Sequence, residues 1–68
     1  MTEAEEEMLA ALAWMAAQYL NVGDNWLDHM CMSAGEMAVE VLVARGLVEP
    51  EGRGGRWTQA GLDFLAKH

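Results

Sequence analysis

The short length of the chain is the feature that most constrains its fold. A chain of 68 residues can bury only about 60% of the surface that it exposes when unfolded, so one small hydrophobic core must hold it together. Its 53% content of hydrophobic residues is too high for a disordered chain. We therefore expect one folded domain over residues 1–68, in which every helix and strand contributes to the same core.

The start of the chain predicts an amphipathic helix. Thr2 and Glu5 have the spacing of a capping box, and the glutamates around them lie where the helix dipole favours negative charge. Apolar residues then recur with helical periodicity, which predicts a buried stripe along one face. The residues of this stripe are Met8, Leu9, Leu12, Met15, Ala16, Tyr19 and Leu20.

The segment that follows predicts a turn and a short second helix. Gly23 suits the left-handed conformation of a helix C-terminal cap. Asp24 or Asn25 suits the N-cap of the next helix. We expect that helix over residues 26–31.

A third helix is predicted over residues 34–45. Ser33 and Glu36 repeat the capping-box spacing, and Gly46 supplies a C-terminal stop. Four residues share the face that we expect in the core: Met37, Ala38, Val41 and Ala44. Two valines on the opposite side are either exposed or buried beneath the segment that follows: Val39 and Val43.

The next segment predicts a β-hairpin. Residues 47–49 have the pattern of a short strand that ends at Pro50, and residues 51–55 form a glycine-rich turn. Arg56 and Trp57 can return as the second strand. These two strands would therefore form an antiparallel hairpin directly after the third helix.

A last helix is predicted at the C-terminal end. Thr58 suits its N-cap. Gly61 should weaken it by up to about 1 kcal/mol relative to alanine. Four apolar residues can close over the core from this helix: Leu62, Phe64, Leu65 and Ala66.

The predicted order of helix, short helix, helix, hairpin and helix resembles a winged helix-turn-helix domain. The similarity is closest from Ser33 onward, and many winged-helix repressors carry a similar run of Gly-Leu-Val, wing and Leu-Thr-x-x-Gly. The matching residues here are Gly46, Leu47 and Val48, then the glycine-rich wing, then Arg56, Trp57, Thr58, Gly61, Leu62 and Phe64. The resemblance implies a mostly α single domain with a small β-hairpin. It also implies that the third helix would enter the major groove while the wing contacts the DNA backbone.

The third helix departs from this family at the positions that would contact bases. Its outward side carries Glu36 and Glu40 and offers no Arg, Lys, Asn or Gln to base edges. Three arginines could contact phosphates, whereas DNA-binding proteins commonly neutralise about six to ten phosphates. These arginines, Arg45, Arg53 and Arg56, are otherwise solvated charges on an exposed wing. Direct nucleic-acid binding is therefore not expected.

Charge is distributed unevenly along the chain. Residues 1–40 contain eight carboxylates and no Lys or Arg, whereas residues 41–68 contain four basic and three acidic residues, and the net charge is −7. Such a surface repels phosphate and attracts cationic proteins. The carboxylates that we expect to bind a basic partner are Glu3, Glu6, Glu7, Asp24, Asp28, Glu36 and Glu40.

Trp14 is a second candidate for partner binding. It lies on the side of the first helix away from the predicted stripe, among small alanines and acidic residues. Exposed aromatic residues often anchor interfaces because they supply a large contact area. Alternatively, Trp26 or the end of the chain folds over Trp14 and forms a second small core.

The sequence contains no motif for catalysis, a cofactor or a metal. His29 and Cys31 stand in a methionine-rich segment, but a closed zinc site needs four ligands, and the only other histidine is His68. His29 and Cys31 are also too close in sequence to converge as base and nucleophile. Glu36 and Glu40 are neighbours on a helix and could be imagined as a pair of catalytic carboxylates, but the chain is too short to enclose a pocket around them. We therefore predict no enzymatic activity.

The remaining features concern location. One cysteine excludes an internal disulfide, and there is neither a signal segment nor an apolar run of about 18 residues. These features predict a cytoplasmic protein that does not enter a membrane.

Taken together, these features predict a small acidic protein-binding domain. In size, acidity and lack of catalytic chemistry it is similar to phage and mobile-element inhibitors such as DNA-mimicking anti-CRISPR proteins. That similarity implies that it blocks the nucleic-acid-binding surface of a larger protein complex. Two alternatives are a winged-helix transcriptional regulator that binds DNA, and an interaction subunit that forms a homodimer.

Overall fold

The fold combines three helices with a four-stranded antiparallel sheet. The computed structural model describes all 68 residues. In chain order the elements are α1 (Glu3–Tyr19), β1 (Asn21–Gly23), β2 (Trp26–Asp28), α2 (Ser33–Ala44), β3 (Val48–Pro50), β4 (Gly54–Trp57) and α3 (Gln59–Lys67). The strands lie in the order β1-β2-β4-β3. The fold is therefore mixed α and β, and the prediction of a mostly α domain with one hairpin was wrong.

The capping box at the start of α1 is confirmed. The backbone N–H of Thr2 donates to Oε1 of Glu5 at 2.8 Å, and the N–H of Glu5 donates to Oγ1 of Thr2 at 3.1 Å. The Thr2 N–H lowers the pKa of the Glu5 carboxyl because it binds the charged form. The first helix therefore begins where its cap predicts.

The buried face of α1 is rotated relative to the predicted stripe. Met8, Met15 and Tyr19 were expected in the core, yet each is more than half exposed. Leu9, Ala16 and Leu20 are buried as predicted, and Ala13, which the predicted stripe omitted, is fully buried beside them. Alanines allow a helix backbone to approach its neighbours closely, and dense packing at that distance decides which face is inside. The predicted stripe left out Ala13 because a pattern based on hydrophobicity ranks large apolar side chains above alanine.

A β-hairpin replaces the predicted second helix. Asp24 and Asn25 have positive φ angles of 50° and 61°, which fits the two-residue type I′ turn that connects tight hairpins. Asn21 pairs with Leu27, and the register shifts before Gly23 pairs with Trp26. The helix expected over residues 26–31 was therefore wrong. The helix-turn-helix pair that the winged-helix resemblance implied is not formed there.

The ends of α2 differ in how well the sequence predicted them. The N-cap is Met32 and no side chain caps it, so the capping box of Ser33 and Glu36 was wrong. At the C-terminal end the predicted stop at Gly46 is confirmed, with φ of 74°. Its N–H donates to the carbonyl of Val43 at 3.0 Å, and the Leu47 N–H donates to the Leu42 carbonyl at 3.0 Å. These two bonds form a Schellman motif.

The buried face of α2 is also rotated. Met37 and Val41 are 66% and 42% exposed, so the prediction that they belong to the core was wrong. Gly35, Val39 and Leu42 are buried instead. Val43 is partly buried against the core, and of the two alternatives for the valines the structure supports burial. The predicted face also included Ala44, which is exposed.

The predicted hairpin at residues 47–57 is confirmed, and it pairs with the first hairpin. Its strand β4 forms ladders with both β3 and β2. In the ladder with β2, Leu27 lies opposite Gly55 and Asp28 lies opposite Gly54. A Cβ at Gly54 would overlap the Leu27 carbonyl. Residues from both halves of the chain thereby form one sheet.

The last helix begins at its predicted cap, because Oγ1 of Thr58 accepts the N–H of Gly61 at 3.0 Å. Gly61 does more than weaken this helix. A Cβ there would overlap the Leu47 carbonyl and lie 2.7 Å from the Trp57 ring. Glycine therefore allows α3 to pack closely against the strand before it.

Ten residues form the core: Leu9, Ala13, Ala16, Leu20, Leu27, Val39, Leu42, Leu47, Val48 and Trp57. Leu62, Phe64 and Leu65 of α3 pack against them and are partly buried. Ala66 was also expected over the core, but it is exposed.

The core predicts a sharp difference between Leu42 and Met37, which lie on one helix. Leu42 is fully buried, and truncating such a side chain to alanine costs about 2 to 5 kcal/mol. We expect Leu42→Ala to lower the free energy of unfolding by that amount. The control Met37→Ala, at an exposed position, should change it by less than about 0.5 kcal/mol. Urea denaturation followed by circular dichroism measures both, and equal effects would contradict the orientation of α2.

A second stability prediction concerns Gly61. Helix propensity alone would make Gly61→Ala stabilising by up to about 1 kcal/mol. Because the new Cβ would meet the Leu47 carbonyl, we expect destabilisation by about 1 to 3 kcal/mol instead. Thermal unfolding of this variant beside Ala60→Gly, at an exposed position of the same helix, separates the two effects. A higher melting temperature for Gly61→Ala would show that α3 does not pack as described.

Candidate functional site

An apolar groove runs between the antiparallel helices α1 and α2. It encloses about 310 Å³, and eight of the nine residues that line it are hydrophobic. Prominent among them are Leu12, Met15, Tyr19, Met32, Ala34 and Ala38. We call this depression the α1–α2 groove. A second depression continues beyond Leu12 toward Met8, Val41 and Arg45, so the two together follow the seam between the helices.

The side chains in and around the groove are unusually exposed for their size. Six of them are between 42% and 73% exposed: Met8, Met15, Tyr19, Met32, Met37 and Val41. Contiguous apolar surface of this extent on a monomer commonly marks a site of interaction. Sequence analysis missed it because it assigned most of these residues to the core. The available signal was their size, since a chain this short cannot bury so many large side chains in addition to its leucines.

The carboxylates that were expected to bind a partner do not form a single cluster. Glu3 and Glu7 lie one turn apart near the start of α1, and both are exposed. Glu36 and Glu40 lie one turn apart on α2, where they line a cleft of about 380 Å³ against the β3–β4 hairpin. Asp24 is exposed in the turn between β1 and β2. None of these five has an ion-pair partner within the chain.

Two of the predicted carboxylates are already engaged. Glu6 lies 3.3 Å from Nε2 of His68. Asp28 was grouped with the exposed acidic residues, but it is only 6% exposed. Its Oδ1 accepts the N–H of Met30 at 2.8 Å, and its Oδ2 accepts Nη2 of Arg53 at 2.8 Å. The Met30 N–H, assisted by Arg53, lowers the pKa of Asp28 because both favour the charged form.

Two of the three candidate arginines, both from the second hairpin, are paired with carboxylates. Arg53 pairs with Asp28, as described. Arg56 donates to both carboxylate oxygens of Glu51 at 2.9 and 3.0 Å, and to the backbone carbonyl of Asp24. Arg56 lowers the pKa of Glu51 through these hydrogen bonds. Arg45 alone has no carboxylate partner, and it lies at the end of the helix seam.

Trp14 is 40% exposed, and it does not line the groove. Trp26 does not provide a second core with it, since the Trp26 indole N–H donates to the carbonyl of Glu51 at 3.2 Å. The Trp26 ring lies 3.4 Å from the position of a Cβ on Gly52. A role for Trp14 as an interface anchor stays a prediction.

The methionine-rich segment around Cys31 forms a tight loop. Met30 and Cys31 both have positive φ, and Nδ1 of His29 accepts the Cys31 N–H at 3.0 Å. Met30, Cys31 and Met32 are exposed. No three side chains of His, Cys, Asp or Glu lie together in a way that could hold a metal ion.

Comparisons of the chain with protein-family models, with curated proteins and with solved structures find no match. None of the three helices combines the length and the apolar character needed to cross a membrane.

The Asp28–Arg53 pair predicts a pH dependence of stability. Because folding lowers the pKa of Asp28 below its ordinary value of 3.8, the charged carboxylate stabilises the fold above that pH. This stabilisation is lost as the pH falls through the lower pKa of the folded state. We expect Asp28→Asn to have a lower free energy of unfolding than the parent at neutral pH. The difference between the two should shrink as the pH falls through the pKa of Asp28 in the folded state.

Urea titrations at a series of pH values measure this difference. Glu49→Gln is the control, because Glu49 is exposed and has no ion pair. A gap between the parent and Asp28→Asn that stays constant down to acid-unfolding conditions would exclude a stabilising charge at Asp28.

Proposed function

We propose that this chain is a non-catalytic protein-binding domain whose partner presents a basic surface. The observation that carries the proposal is the exposed apolar groove between α1 and α2, with unpaired carboxylates on the same two helices. We further propose that the bound domain blocks a surface with which the partner binds nucleic acid. This is the mode of action of the phage and mobile-element inhibitors to which it is similar in size and acidity.

The groove supports protein binding because its apolar surface is exposed to water and a partner would bury it. Removing apolar surface from water contributes roughly 25 cal/mol per Å². Interface cores are rich in methionine and aromatic residues and poor in charge. Met15, Tyr19 and Met32 meet this description, and all three are exposed in the isolated chain.

The charge supports a basic partner. The chain carries a net charge of −7, and the carboxylates of Glu3, Glu7, Glu36 and Glu40 are exposed without a partner. Charges of one sign at the border of an interface steer an oppositely charged protein and raise the association rate. Surfaces that bind nucleic acid are basic because they neutralise phosphates. An acidic domain would compete with nucleic acid for such a surface.

The alternative of direct DNA binding has less support. Arg53 and Arg56 are paired with carboxylates, so a phosphate would have to displace an existing partner. The exposed face of α2 carries Glu36, Met37, Glu40 and Val41, and none of these donates a hydrogen bond to a base edge. A self-associating subunit is also less favoured, since two copies would bring like charges together.

The proposal predicts that reversing charge on α2 slows binding. Immobilised domain is used to capture proteins from a bacterial lysate, and each captured protein is purified for kinetic measurements. For the true partner, Glu36→Lys combined with Glu40→Lys should lower the association rate about tenfold at low salt, since exposed charges that attract the partner act mainly on the encounter step. The control combines Glu49→Lys with Asp63→Lys, which changes the net charge equally at positions away from α1 and α2.

The inhibitory part of the proposal has its own measurement. The partner's affinity for nucleic acid should fall as parent domain is added and should recover with the α2 variant. Equal association rates for the two charge variants would contradict the role of Glu36 and Glu40. Undiminished nucleic-acid binding by a saturated partner would contradict inhibition.

A further inference from the structure

All six methionines of the chain lie at its surface. They are between 48% and 70% exposed, and none belongs to the core or to the side chains that pack against it. The core is built instead from leucine, valine, alanine and tryptophan. Methionine is ordinarily among the residues most often buried. In this chain its sulfur atoms are separated from the contacts that hold the fold together.

Two of these methionines line the α1–α2 groove. Met15 lies on α1 and Met32 is the N-cap of α2. Both side chains are long, and the residues are 59% and 48% exposed. Eight of the nine lining residues are hydrophobic, so a change of polarity at these two positions would alter much of the surface that the groove presents. Their thioether sulfurs are also open to small reactants from the solvent.

The chemistry of a thioether makes such a change possible. Hydrogen peroxide transfers one oxygen atom to the sulfur: the O–O bond breaks, an S–O bond forms, the sulfur loses two electrons, and the peroxide leaves as water. The product, methionine sulfoxide, is polar where the thioether was apolar. Reduction by a reductase that draws on two thiols reverses the step, because the thiols form a disulfide and the oxygen leaves as water.

The position of a sulfoxide decides what it does to a protein. Inside a core it disrupts packing, because a polar group is buried there without a hydrogen-bond partner. At an exposed position water solvates it. Since no methionine contributes to the core of this chain, oxidation would change the groove and leave the packing of the leucines and Trp57 intact.

We propose that the α1–α2 groove is a redox-sensitive surface, which a peroxide converts from apolar to polar by oxidising Met15 and Met32 while the fold persists. The reduced domain presents an apolar groove, and the oxidised domain presents two polar sulfoxides in its place. As a means of regulating partner binding, this inference rests on the proposed function.

The first experiment locates the oxidation and measures its effect on the fold. The full chain carries Cys31→Ser, so that its exposed thiol does not compete for peroxide, and peptide mass spectrometry follows the gain of one oxygen at each methionine. We expect sulfoxides at Met15 and Met32, with a melting temperature that changes by less than about 4 °C. Unmodified Met15 and Met32, or unfolding once they are oxidised, would overturn the inference.

A buried thioether provides the control for exposure. Leu42→Met places a sulfur at a fully buried position, and cores usually tolerate this exchange. The sulfur at position 42 should be oxidised at least about tenfold more slowly than Met15 in the same molecule. Equal rates would show that exposure does not select the groove, and would overturn the inference.

The second experiment measures the apolar character of the groove with Nile red, a neutral dye that fluoresces on apolar surfaces. Met15→Leu with Met32→Leu removes both sulfurs from the groove, and Met30→Leu with Met37→Leu removes two exposed sulfurs that do not line it. Peroxide should lower the dye fluorescence of the parent and of the second variant at least about fivefold, and that of the first less than about twofold. Equal responses of the two variants, or no dye fluorescence from the reduced parent, would overturn the inference.

The captured partner separates this inference from the proposed function. If peroxide abolishes dye binding but the partner binds the reduced and oxidised domains equally, the groove is redox-sensitive and its proposed role in partner binding is wrong. If dye binding survives oxidation of Met15 and Met32, the inference is wrong, and the proposed function still stands on its own tests.

Discussion

The pairing of β2 with β4 is the contact on which the rest of the structure depends. It joins a hairpin from the first half of the chain to a hairpin from the second half, and Gly54 makes it sterically feasible because a Cβ there would overlap the Leu27 carbonyl. The same pairing brings Arg53 beside Asp28 and seats the buried Leu27 in the shared core. The two helices that form the groove contact this sheet and pack on the same core.

Local signals in the sequence predicted the parts of the fold that depend on local chemistry. The caps at Thr2 and Thr58 and the stop at Gly46 each require only a few neighbouring backbone groups. The first hairpin was missed because Asp24 and Asn25 are equally suited to a helix cap and to a left-handed turn. The choice between the two structures is made by β4, which pairs with residues 26–28 from almost thirty positions away.

The larger error concerned which faces of α1 and α2 are buried. Because exposed groove residues were assigned to the core, the candidate site was not predicted. A stripe that counts Met8 and Met15 as core is reasonable when methionine ranks above alanine. In the folded chain Met8 and Met15 are outside and Ala13 is inside beside Ala16, because a small domain packs by bringing its backbones close together. The exposure of most charged residues was easier to predict, because a carboxylate such as Glu40 is expected at the surface whatever the tertiary structure. Asp28 was the exception, and its burial depends on an arginine that the sheet brings to it.

The two outer strands of the sheet determine how this protein can associate. An open strand edge invites another chain to extend the sheet, and that reaction leads toward aggregates. Here β3 ends at Pro50, which has no N–H to offer, and β1 has only three residues and a shift of register. Both edges are therefore poor templates for strand addition. A protein that exposes so much apolar surface on its helices is thus protected from fibrillar assembly by its sheet, and side-chain packing against α1 and α2 is left as the route to stable association.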